Sequence, residues 1–381
     1  MRFSTQLIHA GEPRPRIGGA VTVPIFQSST FELSDVSGSH DVKYARLSNT
    51  PNHEVLAAKL AALEGTETAL VAGSGMAAIS ASLLAVLGAG DHLIAHDCLY
   101  GGTHSLITRD LAALGVETTF VDACRPETFA AALRPRTRAF YVEALTNPLL
   151  QIAEFDAVVA FARAHGLVSL IDATMATPVN FRPATHGFDL VLHSASKYLN
   201  GHTDIVAGAV AGSRELVGNV KRKLDHFGGS LDPHACFLLQ RGLKTLELRM
   251  ERQNRTSQSL AEHLSRHPAV AEVMHPGLES HPGHARLKAW FRGAGGMLSF
   301  RPQGGVAAAD RFVSRVELAT NAPSLGGPET LVTRPAVTSH RSLSSEERAR
   351  AGVSDDLVRV SVGLEALEDL IDDFEQALGG G

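Results

Sequence analysis

The 381-residue chain predicts an α/β protein: a mostly parallel central sheet with helices on both faces, plus a smaller α+β C-terminal domain. Three observations predict it. Between Thr68 and Gly212 short apolar runs alternate with helical stretches, the rhythm of parallel strands joined by crossover helices. After Gly212 that rhythm gives way to a helix-rich region with a few isolated apolar runs. A hydrophobic content of 44% against 20% charged residues is that of a globular chain, and the length suffices for two cores.

Taken in order, residues 1–50 lack periodicity. Pro13, Pro15, Gly18, Gly19, Pro24 and Ser28-Ser29-Thr30 make them an irregular arm. So long an arm stays ordered when it packs on something, and a neighbouring subunit is the expected support. Asn52 is expected to cap a helix that carries Leu56, Leu60 and Leu63 and stops at Gly65. Strands are expected at Ala69–Ala72, His92–Ala95, Glu117–Val121, Ala139–Val142, Val168–Ile171, Leu190–Leu192 and Ile205–Val210. Helices are expected at about 75–88, 102–114, 126–133 and 154–165. Cys236 to Leu264 reads as one long helix with Pro233 near its start. Strands at Met297–Phe300 and Leu357–Ser361 and a terminal helix at Leu367–Leu378 follow. The division expected is an arm over 1–50, an α/β domain over 51–234 and an α+β domain over 235–381.

A net charge of −5 gives no electrostatic footprint for nucleic acid, and Lys221-Arg222-Lys223 is the sole dense basic cluster. Cys98, Cys124 and Cys236 contain no Cys-x-x-Cys spacing, which suits a reducing compartment. The longest apolar stretch, Ala77–Ala89, is too short for a bilayer, and Met1–Gly11 has no apolar signal core. The expectation is a cytoplasmic protein without membrane contact. His275, His281 and His284 lack the cysteine or carboxylate spacing of a zinc site, so no metal is expected there.

The chemistry centres on Lys197. It follows the apolar run Leu190–Leu192 and the hydroxyls Ser194 and Ser196. A lysine buried at a strand end loses basicity or finds a partner, and a lowered amine can condense with an aldehyde cofactor. Its bland alternative is a lysine reaching for solvent. Gly73-Ser74-Gly75-Met76-Ala77-Ala78 passes from strand to helix, where unpaired N–H groups can cradle a phosphate. The same residues match G-x-G-x-x-A with Asp97 about twenty residues on, a dinucleotide fingerprint. Asp172 ends a buried strand and needs a partner, such as a protonated pyridine nitrogen. Tyr100 can stack on a ring or move a proton, and Arg359 interrupts an apolar strand in search of a carboxylate. Pyridoxal phosphate needs all of these groups; a nicotinamide dinucleotide leaves Lys197 and Asp172 unexplained.

The chain resembles, nearly end to end, the Cys/Met-metabolism group of pyridoxal-phosphate enzymes: cystathionine γ-synthases, cystathionine β- and γ-lyases and methionine γ-lyases. The matching motifs are Tyr44-x-Arg46, Ser74-Gly75-Met76-Ala77-Ala78, Tyr100-Gly-Gly-Thr103, Thr146-Asn147-Pro148 and Ser194-x-Ser196-Lys197-Tyr198. Arg241-Gly-Leu-Lys-Thr245, Ser324-Leu-Gly-Gly327 and Arg359-x-Ser-Val-Gly363 complete them. The resemblance implies the fold type I of pyridoxal-phosphate enzymes and a homotetramer of two active dimers. Lys197 would hold the cofactor, with Gly75, Met76, Ser194 and Ser196 about its phosphate. Tyr100, Asn147, Asp172 and Thr174 would lie about its ring. Tyr44 and Arg46 would reach the neighbouring subunit's phosphate. Arg359, Ser324 and Asn147 would meet the substrate, with Lys197 and Tyr100 catalytic.

The implied reaction is α,γ-elimination from a sulfur amino acid, methionine, homocysteine or cystathionine. Its alternative is γ-replacement on an O-acylhomoserine. Several positions depart from the group. Asp172-Ala173-Thr174-Met175 stands where Asp-Asn-Thr-Phe is usual, and Asn49-Thr50-Pro51 where Asn-Pro-Thr is. Gly102 replaces the cysteine typical of methionine γ-lyases, and Leu224 a lysine. Pro323 precedes Ser324 where cystathionine γ-lyases and γ-synthases usually carry glutamate, which favours a short uncharged γ-substituent.

Overall fold

The computed structural model describes residues 1–33, 42–341 and 344–379. Its first sheet is built from β1 (Thr68–Ala72), β2 (His92–His96), β3 (Glu117–Val121), β4 (Thr137–Glu143), β5 (Val168–Asp172), β6 (Leu190–His193) and β7 (Gly208–Gly212). The spatial order is β1-β7-β6-β5-β4-β2-β3. Neighbours from β6 across to β3 run parallel, while β7 lies antiparallel to both β1 and β6. Side chains alternate across the pleat. Leu93, Ala139, Tyr141 and Leu170 enter one core, and Ile94, Phe140, Val142 and Ile171 the other. Both faces are thus covered, and every strand ends its parallel run at the same edge.

A second sheet consists of β8 (Val270–Met274), β9 (Met297–Pro302), β10 (Thr320–Asn321), β11 (Leu331–Thr333) and β12 (Val358–Ser361), ordered β10-β11-β12-β9-β8. Only β10 and β11 pair in parallel there. The helices Gly305–Arg315 and Leu367–Leu378 cover it through Phe312 and Phe374, which meet edge-to-face. Among the described residues no helix is long and apolar enough to cross a membrane.

Three local expectations need correction. Asn52 does not cap: the helix spans Pro51–Glu64, and Asn52 lies inside it. Its amide accepts from Phe26 N at 2.8 Å and donates to Pro24 O at 2.9 Å, tying the arm to the helix. The long helix is two, Pro233–Leu243 and Leu246–Leu264. Arg249 Nη2 donates to Gly242 O at 2.8 Å, so a tertiary contact takes the carbonyl where the helix breaks. The strand expected from Ile205 begins only at Gly208, because Ala207 O accepts from Ser196 N at 3.1 Å and that segment wraps the loop before Lys197.

The arm also holds a helix, Phe3–His9, absent from the expectations. Buried Lys59 Nζ donates to Leu7 O at 2.9 Å and Ile8 O at 3.0 Å at its end, where helix carbonyls lack partners.

Candidate active site

The carboxyl ends of β1, β4, β5 and β6 open into a cavity of about 780 Å³, closed on the other side by segments of the second sheet region. Crossover topology puts ligands at that edge. Lys197 enters it from the turn after β6, and its Nζ donates to Ser324 Oγ at 2.6 Å. Burial, then the charge of Arg359, holds the lysine below its usual pKa. The amine is therefore easier to deprotonate than an exposed one.

Ser324 is held in an unusual way. Its φ is +107°, a conformation that costs energy for a residue with a side chain. Arg359 Nη2 donates to its carbonyl at 2.8 Å. Two residues on, Gly326 has φ +80°, and a Cβ there would lie 2.6 Å from Tyr198 N. The Ser324 loop is thus pressed against the Lys197 segment. Arg249 braces that segment from behind, donating from Nη1 to Tyr198 O at 2.7 Å.

Arg359 projects from β12, only 4% exposed. Nη1 donates to Asn147 Oδ1 at 3.2 Å, and Nε has no partner among the described residues. No carboxylate pairs with it among the described ion pairs, and burial brings its pKa down to about 10. A buried guanidinium so placed can receive a carboxylate.

Asp172 ends β5 with Oδ1 accepting from Thr174 N at 2.8 Å. Burial raises its pKa, opposed by the Thr174 hydrogen bonds and by His193. A carboxylate under that strain gains from a cationic partner. Thr174 Oγ1 in turn accepts from Ser194 N at 2.7 Å. Gly75 opens the helix Gly75–Val86, capped by Ser74 Oγ on Ala77 N at 2.9 Å. A Cβ on Gly75 would lie 2.7 Å from Ser194 Cβ, so this helix start and Ser194 face each other as one cradle. Met76 and Ser196 line the cavity beside them.

Tyr100 lines the cavity, with its backbone N donating to Glu143 Oε1 at 2.7 Å. Glu143 was not singled out in the sequence. Its other oxygen accepts from Asn147 N at 3.3 Å, so one buried carboxylate aims both Tyr100 and Asn147. Burial, then Asp172, raises its pKa well above the ordinary value. The signal was available: Glu143 ends an apolar strand as Asp172 does. Gly102 lies where a Cβ would come 2.5 Å from Tyr100 Cε1, so its lack of a side chain leaves room for that ring.

Two expected residues lie apart. Tyr44 and Arg46 do not line this cavity; Arg46 Nη1 donates to Asp225 O at 2.7 Å instead. Asp97 of the dinucleotide fingerprint does not line it either. Leu224 is buried core against Gly229, away from the cavity, so its departure concerns packing. Pro323 and Met175 do line it, as does Arg341, which the sequence reading passed over.

The donor set fits pyridoxal phosphate. Lys197 could offer an amine to the aldehyde, Asp172, with no ion pair among the described residues, a carboxylate to the ring nitrogen, and the Gly75–Ser194 cradle N–H and hydroxyl groups to the phosphate. Fold and cavity together define a fold type I pyridoxal-phosphate enzyme.

Comparison with known proteins narrows the class. Residues 4–379 match the family described as Cys/Met metabolism PLP-dependent enzyme, and the chain belongs to that family. It is 41% identical to a cystathionine γ-lyase of Bacillus subtilis over 379 residues, covering 99% of both chains. It is 41% identical to a cystathionine β-lyase of Lactococcus lactis over 377 residues (99% and 98% covered). It is 40% identical to an L-methionine γ-lyase of Pseudomonas putida over 388 residues (99% and 97%). The structure of a cystathionine γ-synthase from Xanthomonas oryzae superposes with a TM-score of 0.96 at 36% identity, over 100% of this chain and 98% of that one. The cofactor is pyridoxal 5′-phosphate, and sulfur amino acid metabolism is the setting.

Proposed function

We propose that the protein is a carbon–sulfur lyase that performs α,γ-elimination on a sulfur amino acid. Substrate and water give 2-oxobutyrate, ammonia and a thiol. The observation that carries the reading is the Lys197–Ser324 hydrogen bond, 2.6 Å, in a cavity that Arg359 and Tyr100 also line. It supports the reading of Lys197 as base, Arg359 as carboxylate receptor and Tyr100 as acid around one space.

Bound pyridoxal phosphate supplies an electron sink for negative charge at the substrate carbons. Lys197 would hold the cofactor, and Asp172 would keep its ring nitrogen protonated. Gly75, Met76, Ser194 and Ser196 would hold its phosphate. Arg359 then binds the substrate carboxylate, with Asn147 and the Ser324 carbonyl fixing the guanidinium plane. Lys197, a neutral amine once released, takes the Cα proton, and its Ser324 partner steers it. Once Lys197 has handed that proton on, the same amine takes a second from Cβ, the γ-sulfur departs, and Tyr100 gives that sulfur a proton. β-Elimination would need no second deprotonation.

Pro323 puts an apolar group on the cavity wall and supports a short uncharged γ-substituent, as in methionine or homocysteine. Arg341 on the same wall supports a second reading, cystathionine, whose distal carboxylate it could meet. Tyr44 and Arg46, lying outside their own chain's cavity, support an assembly in which the arm completes a neighbour's phosphate site within a homotetramer. Product analysis tests the reaction. 2-Oxobutyrate from methionine or cystathionine without added thiol supports the lyase. Cystathionine formed solely from O-acylhomoserine plus cysteine overturns it in favour of γ-replacement, and pyruvate overturns it in favour of β-elimination.

A further inference from the structure

Outside the cavity, at the carboxyl ends of β2 and β3, His96, Asp122 and Cys124 converge. One ligand atom from each lies within 4.8 Å of the others. His96 is fully buried, and neither of its ring nitrogens has a hydrogen-bond partner among the described residues. Buried polar atoms are almost always satisfied, so two orphans on one ring call for a missing partner. Its Nε2 does approach Asp97 Oδ1 at 3.4 Å, but without hydrogen-bond geometry.

The other two groups are prepared as well. Asp122 Oδ1 accepts from Cys124 N at 2.9 Å, which fixes carboxylate and thiol on one tight turn. The Cys124 thiol donates to Ile152 O at 3.4 Å, a weak sulfur hydrogen bond. Arg286, whose charge also reaches Cys124, has its Nη1 held by Glu154 at 2.5 Å.

We propose that His96, Asp122 and Cys124 form a binding site for one divalent cation of borderline softness, Zn²⁺ by the chemistry of its ligands, with Asp97 or water as fourth ligand. A thiolate, an imidazole and a carboxylate make a zinc set, whereas calcium or magnesium would take oxygen alone. Binding exchanges the Cys124 S–H bond for an S–Zn bond and passes the proton to solvent. Tyr100 lies four positions after His96, so the cation would pin the start of the β2 exit that carries Tyr100 to the loop after β3. Its role there is structural, since none of the three ligands lines the cavity.

The test uses pyridoxal-phosphate-loaded enzyme, stripped with a chelator and titrated with Zn²⁺ alone. The expected result is one Zn²⁺ per chain. Cys124→Ser and His96→Gln should each weaken it by about a hundredfold or more, at unchanged cofactor content. Zn²⁺ should also shield Cys124, the least buried of the three cysteines, from a thiol reagent in the wild-type protein. No bound Zn²⁺, or equal affinity in wild type and a folded Cys124→Ser variant, overturns the proposal. Should His96→Gln fail to fold, Cys124→Ser and the shielding measurement still decide.

Discussion

Replacing Arg359 by lysine keeps the charge and removes the fork. In the native protein Nη1 and Nη2 each give one N–H, to Asn147 Oδ1 and Ser324 O, which leaves a second N–H on each to meet a ligand. A lysine ammonium is a point charge on a flexible stem, and it cannot hold both anchors while presenting a fixed donor to a carboxylate. The variant loses about one charge-assisted hydrogen bond to substrate, worth roughly 1.5–3 kcal/mol. At about 1.4 kcal/mol per tenfold, kcat/KM falls by roughly 10- to 150-fold, carried mostly by KM. Cofactor content should hold, because no cofactor role falls to this side chain. The assay is steady-state release of keto acid from sulfur amino acids, run beside the decarboxylated amine of the same substrate. For the amine the difference between the two proteins should vanish. A kcat/KM within about threefold of wild type on the amino acid would refute the assignment of Arg359 to the carboxylate.

Gly326→Ala should lower cofactor occupancy and activity together, since the residue has φ +80° and its new Cβ would fall 2.6 Å from a backbone nitrogen next to Lys197; absorbance of the bound cofactor and a urea midpoint report both. Lys59 has its pKa lowered from 10.5 to about 8, by burial first, so between those values the unfolded chain binds more protons than the folded one. Its contribution to stability is full above about 10.5 and is lost as pH falls through about 8, and the urea midpoint of wild type measured against Lys59→Met should show that rise with pH disappear. Arg46→Ala and Lys197→Ala, each inactive alone, should regain part of the activity when mixed under subunit exchange, because a hybrid dimer holds one intact site; exchange without recovery counts against a shared phosphate site.

Much of this was legible in the sequence because the signals are local. Strand-length apolar runs ending in Asp172 or in Ser194-Ala195-Ser196-Lys197 announce both an element and what stands at its end, and the crossover topology gathers those ends at one edge. What escaped depends on contacts between distant segments. Asn52 has the composition of a cap, yet its amide is engaged by Pro24 and Phe26 of the arm. The break between Leu243 and Leu246 has no proline or helix-ending glycine turn to mark it; it follows from Arg249 reaching back to Gly242 and Tyr198. β8 escaped because Val270–Met274 is half exposed and carries no continuous apolar run. Glu143 ends a legible strand, but its partners, Tyr100 N and Asn147 N, are backbone groups that no side-chain motif marks.

Lys197 is the residue proposed to carry the cofactor, and the direct measurement is chemical. Borohydride added to the yellow holoenzyme should bleach it and leave a stable pyridoxyl group, which peptide mapping finds on the fragment containing Lys197 and nowhere else. A label on Lys59, Lys221 or Lys244, or a protein whose cofactor remains dialysable after reduction, would contradict the assignment and with it the base proposed for the reaction.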